Sequence, residues 1–242
     1  MTQITVRDIP VDVVRKDIKN LHLAVYPPSG RVRIAAPLRV NDDAVRLFVV
    51  SKLGWIKRQQ AKFQQQDRQP PRAYVSGESH WVLGRRYRLR VVNSAGAIRL
   101  KLRNNTTLEL IAPELSSVEA REHAMLEWYR QTLKELIPAL IEKWSAIIGV
   151  DAPLWGVKRM KTKWGTCNIA ERRIWLNLEL AKKPIHCLEY VIAHELTHLL
   201  ERRHSERFRA LMDRHIPNWR LFKSELNALA LSHPIWEDAP QI

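Results

Sequence analysis

The segment Ala193-His194-Glu195-Leu196-Thr197-His198 carries the pattern His-Glu-x-x-His. Residues four apart share one face of a helix, so His194 and His198 can direct two imidazoles at one divalent metal ion. Imidazole nitrogen suits zinc. Glu195 stands one step round the helix from His194. It can reach a water at the metal without ligating the ion, take its proton and later pass that proton to a leaving group. That is the chemistry of a metal-dependent hydrolase. Ile185, Leu188, Ile192, Leu196 and Leu199 fall on one helical face, and the two histidines fall nearly opposite. A core helix would present a site to a cleft in this way.

A catalytic zinc takes three protein ligands and keeps a position open. His204 is the expected third ligand, with five residues between it and His198. That is the spacing of His-Glu-x-x-His-x-x-Gly-x-x-His, where glycine turns the chain. Glu201 occupies the glycine position here, so Leu199 to Arg203 must turn without it. Ser205 can cap a new helix directly after the ligand. Asp213, His215 and Glu225 are rival third ligands. A solvated helix end with incidental histidines is the alternative to any site at all. His22, His80, His123, His186 and His233 have no partner spacing and are expected at the surface or in the core. Cys187 lies seven residues before His194, about 10 Å at helical rise, too far to share the metal. Cys167 and Cys187 are expected as buried or half-buried free thiols.

These residues need a scaffold. Pro184 fits the first position of the metal helix, which should run to about Leu200, and Ser205 should open another to about His215. Before them, Lys158 to Asn168 and Arg173 to Leu178 read as strands joined by a turn near Ala170-Glu171-Arg172. A strand edge beside the metal helix can pair with an extended peptide, and its lysines and arginines could instead grip phosphates. Ser116 or Ser117 should start a long helix to about Ile148. Its expected apolar stripe is Leu126, Tyr129, Leu133, Leu136, Leu140, Trp144 and Ile147, with a kink at Pro138. Further upstream the sequence reads mostly as strands. Leu21–Val25 and Val32–Ala36 form a hairpin around Pro27-Pro28-Ser29-Gly30, with Arg31 and Arg33 facing away from Val32 and Ile34. Asn41 or Asp42 caps a helix to about Gln66, and short strands follow near 80–83, 86–92, 97–103 and 107–112. No internal repeat is visible.

The class expected is therefore α+β. A mostly antiparallel β module with one helix occupies residues 1–113. A metallohydrolase domain of long helix, short sheet and metal helix occupies 114–242. Charge supports the same division. The chain of 242 residues carries a formal +15. Residues 1–113 hold 21 Lys+Arg against 8 Asp+Glu, and residues 114–242 hold 19 against 17. A basic first half fits a polyanion such as nucleic acid, a nucleotide or an acidic protein face. No apolar run approaches a membrane span, and Arg7 and Asp8 precede any apolar stretch, so neither a membrane anchor nor a signal peptide is expected. With two cysteines and no export signal, the cytoplasm is the expected compartment.

The ordered set Arg159, Trp164-Gly165-Thr166-Cys167, Ile174, Leu176-Asn177, Pro184, Tyr190-Val191, His194-Glu195-Leu196-Thr197-His198-Leu199, His204-Ser205, Phe208, Pro217 and Trp219 resembles the YgjP-like (DUF45) family. That family is described as M48-like or SprT-like metallopeptidases of the zincin superfamily. Arg31-Val32-Arg33-Ile34, Ala36-Pro37, Lys52, Trp55-Ile56, Gly77-Glu78 and Leu83-Gly84-Arg85 with Tyr87 extend the resemblance through the first half. Thr166 stands where the family has Ser, and Asp17 dilutes the basic segment before Leu21. The resemblance implies a zincin-like fold for the second half. It also implies one zinc ion per chain on His194, His198 and His204, with Glu195 as general base. Nucleotide pyrophosphatase activity has also been attached to the family.

Three functions follow as expectations. The first is a zinc-dependent metallopeptidase whose basic half guides it to its target. The second is a nucleoside-triphosphate pyrophosphatase using the same metal. The third is a DNA- or RNA-binding protein with an auxiliary metal site, disfavoured because no fourth ligand stands near His204. Candidate contacts to substrate or anion are Arg31, Arg33, Arg85, Arg86, Arg159, Lys161, Lys163 and Trp164.

Overall fold

The computed structural model describes residues 2–26, 29–65, 72–160 and 163–228. The chain is α+β and divides into two compact units, one ending at residue 69 and the other beginning at 70. The division at 113/114 expected from charge is therefore displaced upstream, because the strands from 79 to 112 pack with the elements that follow them.

The first unit has four strands and a helix: β1 (Thr2–Val6), β2 (Ile9–Lys16), β3 (His22–Tyr26), β4 (Arg31–Pro37) and α1 (Asp42–Gln65). The strand order is β1-β2-β4-β3. β1 and β2 form a tight hairpin, with Arg7 at positive φ in the turn. β3 and β4 form the hairpin expected from the alternation, pairing Val25 with Val32 and Leu23 with Ile34. Its first two turn residues, Pro27 and Pro28, lie outside the described residues. The central pair β2–β4 is parallel and both outer pairs are antiparallel, so the sheet is mostly antiparallel with one parallel seam. Val11, Val13, Val32 and Ile34 on the inner face pack with Val45, Val49 and Ile56 of α1. The Asn41 side chain accepts the Ala44 N–H and caps the helix.

The second unit begins with β5 (Ser79–Val82), β6 (Arg85–Asn93), β7 (Arg99–Leu102) and β8 (Thr107–Ala112), in the order β5-β6-β8-β7. β6 and β8 are parallel, and both outer pairs are antiparallel. This repeats the plan of the first sheet, strand for strand, and a long helix again follows. The chain thus holds an internal structural repeat that the sequence conceals. The inner faces are filled by different residues, Val11 and Val13 in one sheet and Tyr87 and Leu89 in the other.

α2 (Val118–Ile148) is capped by Ser117 and ends on Gly149 in the left-handed conformation. It runs unbroken through Pro138, which lies on its exposed side. The buried stripe is Met125, Tyr129, Leu133, Ile137, Ile141, Trp144 and Ile148. It is rotated from the expected one, and Ile147 is 45% exposed. The sequence offers apolar residues on adjoining rows, and only packing selects between them. Then follow β9 (Leu154–Lys158), β10 (Gly165–Asn168), β11 (Arg173–Asn177), a 3-10 turn (Leu178–Lys182), α3 (Ile185–Thr197), α4 (Glu206–His215) and α5 (Trp219–Ala228). The small sheet has the order β10-β11-β9, which leaves β10 at an edge. Pro184 sits one residue earlier than expected, at the cap position of α3. Among the described residues, no helix is long and apolar enough to cross a membrane.

Candidate functional site

The site is built on α3 because that helix is buried on nearly every side. Leu188, Val191, Ile192, Ala193 and Leu196 are sealed, and His194 and Glu195 are buried with them. Its first turn is held from the second sheet. The β5–β6 turn docks through Leu83 N–H on Ala181 O at 2.8 Å and Gly84 N–H on Lys182 O at 3.3 Å. A Cβ on Gly84 would lie 2.7 Å from Pro184, so only glycine permits this approach.

The structure brings His194, His198 and His204 together, with one ring nitrogen from each within 4.8 Å of the others. His194 Nε2 and His204 Nε2 are 3.0 Å apart. His198 Nδ1 lies 3.1 Å from the Glu201 carbonyl and donates to it, which makes Nε2 the nitrogen that carries the lone pair a metal takes. Three imidazole nitrogens gathered this closely are the donor set that a zinc ion takes. Burial, and then the neighbouring His198 and His204, hold His194 well below the usual histidine range. It is therefore the neutral imidazole that ligation requires. Phe208 locks the cluster. Its ring centroid lies 4.9, 4.8 and 4.8 Å from those of His194, His198 and His204.

The glycine-free turn has a simple explanation. Leu199 and Leu200 make 3-10 type bonds to Leu196 and Thr197, and no residue from 199 to 203 has positive φ. Ser205 then caps α4 by accepting the Phe208 N–H. The rival ligands are engaged elsewhere. Asp213 binds Arg220 and the Trp219 indole, and Glu225 lies 2.6 Å from His186 Nε2. Cys187 groups with His186 and Glu225, away from the three histidines. His215 is not in the cluster.

Glu195 is 2% exposed, and burial pushes its carboxyl up to about 8, against the lowering charge of Lys163. Its neighbour is the backbone of β10. A Cβ on Gly165 would lie 2.5 Å from Glu195 Oε1 and 2.8 Å from its Cγ. The edge strand therefore lies directly on the carboxylate. Burial, and then Glu195, raise the Cys167 thiol to about 11, so it is no thiolate nucleophile. Two roles were not evident from sequence. One is Phe208, three residues after the Ser205 cap. The other is Asn177, which is 1% exposed. Its side chain donates to Met160 O at 2.9 Å and Lys163 O at 2.7 Å, and accepts from Met160 N–H at 3.3 Å and Glu179 N–H at 3.2 Å. It thereby fixes both ends of the loop that leads into β10.

The expected anion contacts do not converge on this centre. Lys163 acts on Glu195, and Trp164 is buried just before Gly165 with Lys183 over its ring at 5.5 Å. Arg159 pairs with Glu122 at 3.9 Å, and Lys161 lies outside the described residues. Arg85 and Arg86 belong to β6. Arg31 and Arg33 belong to the first unit, where Arg31 is bound to buried Asp12.

The model of the YgjP-like metallopeptidase domain matches residues 19–229. Among solved structures, the chain is similar to the metallopeptidase zymogen of Pyrococcus abyssi abylysin, with 18% identity and a TM-score of 0.38. That similarity covers 41% of this chain and 99% of the other. No curated protein matches the chain. With the family match running from just before β3, through the second sheet, to beyond the three histidines, the chain belongs to the YgjP-like metallopeptidase family.

Proposed function

We propose that the protein is a zinc-dependent peptidase in which His194, His198 and His204 hold one zinc ion and Glu195 moves the proton. The observation that carries this reading is the cluster of three imidazoles together with a buried Glu195 carboxylate, next in sequence to His194, lying against the edge strand β10. When bound, the metal would polarise the scissile carbonyl and acidify water. Glu195, raised by burial, accepts a proton from the attacking water and returns it to the amine that leaves. His198 keeps one tautomer through its bond to Glu201 O, and Phe208 keeps the rings in place. The free edge of β10 offers backbone N–H and C=O groups to an extended peptide, which would add as a further strand. A phosphoanhydride would need several cations, and among the described residues Lys163 is the one whose charge acts on Glu195.

The test compares metal-loaded wild type with Glu195→Gln on unstructured protein and on a nucleotide panel. Wild type should fragment the protein, and the variant should lose that activity while keeping its metal. Glu195-dependent pyrophosphate release without any proteolysis would overturn the proposal.

A further inference from the structure

The second sheet has an outer face that neither the metal site nor the core explains. In β6, Tyr87 and Leu89 point inward, so Arg86, Arg88 and Arg90 point outward. Cross-strand register adds Arg99 and Lys101 from β7, and Arg103 reaches Glu109 from the loop after it. Glu109 of β8 is the one carboxylate among the described residues of this face. It lies 3.7 Å from Arg90, 3.4 Å from Lys101 and 3.1 Å from Arg103. One buried carboxylate cannot neutralise three cations, and Arg86, Arg88 and Arg99 add to the excess. Those flanking Glu109 are 52% to 61% exposed at the side chain. Like charges on neighbouring strands destabilise a sheet, so the face carries a cost that an anionic partner would offset.

The fold does not demand this. The first sheet has the same order and likewise a two-residue turn between its first two strands. Counted from those turns, β2 places Pro10, Asp12 and Val14 where β6 places Arg86, Arg88 and Arg90. The basic face is therefore a property of the second sheet's side chains.

Two features narrow the partner. Trp81, the register partner of Arg86, is 40% exposed on the same face. A shallow cavity of about 340 Å³ lies between Ser76, Gly77, Arg88, Arg90 and Thr107. Outward residues along a strand are about 6.6 Å apart, comparable to successive phosphates of an extended strand, and the four strands span about 14 Å. Exposed indole offers a base-stacking platform, and guanidinium offers bidentate contacts to phosphate.

We propose that the outer face of the second sheet binds single-stranded nucleic acid, with Arg86, Arg88 and Arg99 on phosphates and Trp81 stacked on a base. Full-length protein would be titrated with a labelled oligodeoxythymidine across a salt series, read by fluorescence anisotropy. The variants are Arg86→Gln/Arg88→Gln/Arg99→Gln, which spares the cations around Glu109, and Trp81→Ala. A control removes three cations from the first unit, Lys16→Gln/Arg39→Gln/Lys57→Gln. Circular dichroism verifies that each variant is folded. The triple sheet variant should weaken binding at least tenfold and reduce the slope of log K against log salt by about 2, at about 0.7 per phosphate. Trp81→Ala should weaken single-strand binding by between about fivefold and about 150-fold, with little effect on a duplex. The control should bind within about twofold of wild type. Wild-type affinity in the folded triple variant overturns the proposal. So does equal loss in the control, an unaffected Trp81→Ala, or displacement of the oligonucleotide by poly-glutamate at equal charge.

Discussion

Gly165→Ala tests whether contact between β10 and Glu195 positions the carboxyl proposed to carry the proton. The added methyl would meet Glu195 Oε1 at 2.5 Å, Cγ at 2.8 Å and Cδ at 2.9 Å. Ordinary contact begins near 3.4 Å, so the two groups must separate by about 0.9 Å. Glu195 cannot yield easily, since it is 2% exposed on a helix whose other faces are packed. β10 cannot yield without disturbing its pairing of Gly165 with Leu176. Misplacing a catalytic group by about 1 Å costs about a hundredfold in rate, and overpacking a core costs about 1–3 kcal/mol. The expected result is a folded protein with kcat/KM for an unstructured protein substrate about a hundredfold lower. Its metal content should be unchanged, because the three atoms nearest the methyl all belong to Glu195 and none to an imidazole. Metal would be quantified by chromophoric chelator competition and cleavage by mass spectrometry of fragments. Full activity with undiminished stability would refute the reasoning. Equal loss of metal would show that β10 supports the ligands and not the carboxylate.

Three further outcomes are expected. His204→Ala should weaken metal binding by roughly a hundredfold or more in the same competition assay, whereas Asp213→Ala should leave it unchanged, since Asp213 is engaged by Arg220 and Trp219. Asn177→Ala strands four backbone groups and should cost about 3 kcal/mol, read as a lower urea midpoint. His80 is 2% exposed, and burial, then the Arg72 charge, lowers its pKa to about 4. The unfolded chain binds that proton more tightly, so stability should be full above pH 6.5 and fall towards pH 4, by up to about 3 kcal/mol. His80→Gln should flatten that part of the urea-midpoint profile.

Local signals in the sequence were reliable where short-range chemistry decides the outcome. Asn41, Ser117 and Ser205 each cap the helix expected of them. The β3–β4 hairpin follows from alternation on both sides of its turn. His194, His198 and His204 meet because helix geometry and one short turn fix their relation. What stayed hidden depends on distant contacts. The parallel pairs β2–β4 and β6–β8 join strands separated by another strand in sequence, and no local pattern announces them. The β1–β2 turn was missed because Arg7 supplies the positive φ without glycine or asparagine. Gly165 was visible as part of a motif, but its reason is a carboxylate thirty residues later in the chain.

The charge shows how a sequence-level sum depends on where the chain is divided. The boundary at 113 put nearly all the excess in one half. The compact units redistribute it, since residues 1–69 hold 13 Lys+Arg and 6 Asp+Glu, while residues 70–113 hold 8 against 2. The densest excess is therefore on the sheet that belongs to the same unit as the three histidines. In the first unit, Arg31 pairs with Asp12 and Arg15 with Asp42, one acid to one base. On the second sheet, Glu109 answers three cations at once. Unbalanced charge held on a rigid sheet is better evidence of a partner than net charge over a stretch of sequence. By that criterion, the proposal of a nucleic-acid partner rests on β6 and β7 and not on the net charge of residues 1–113.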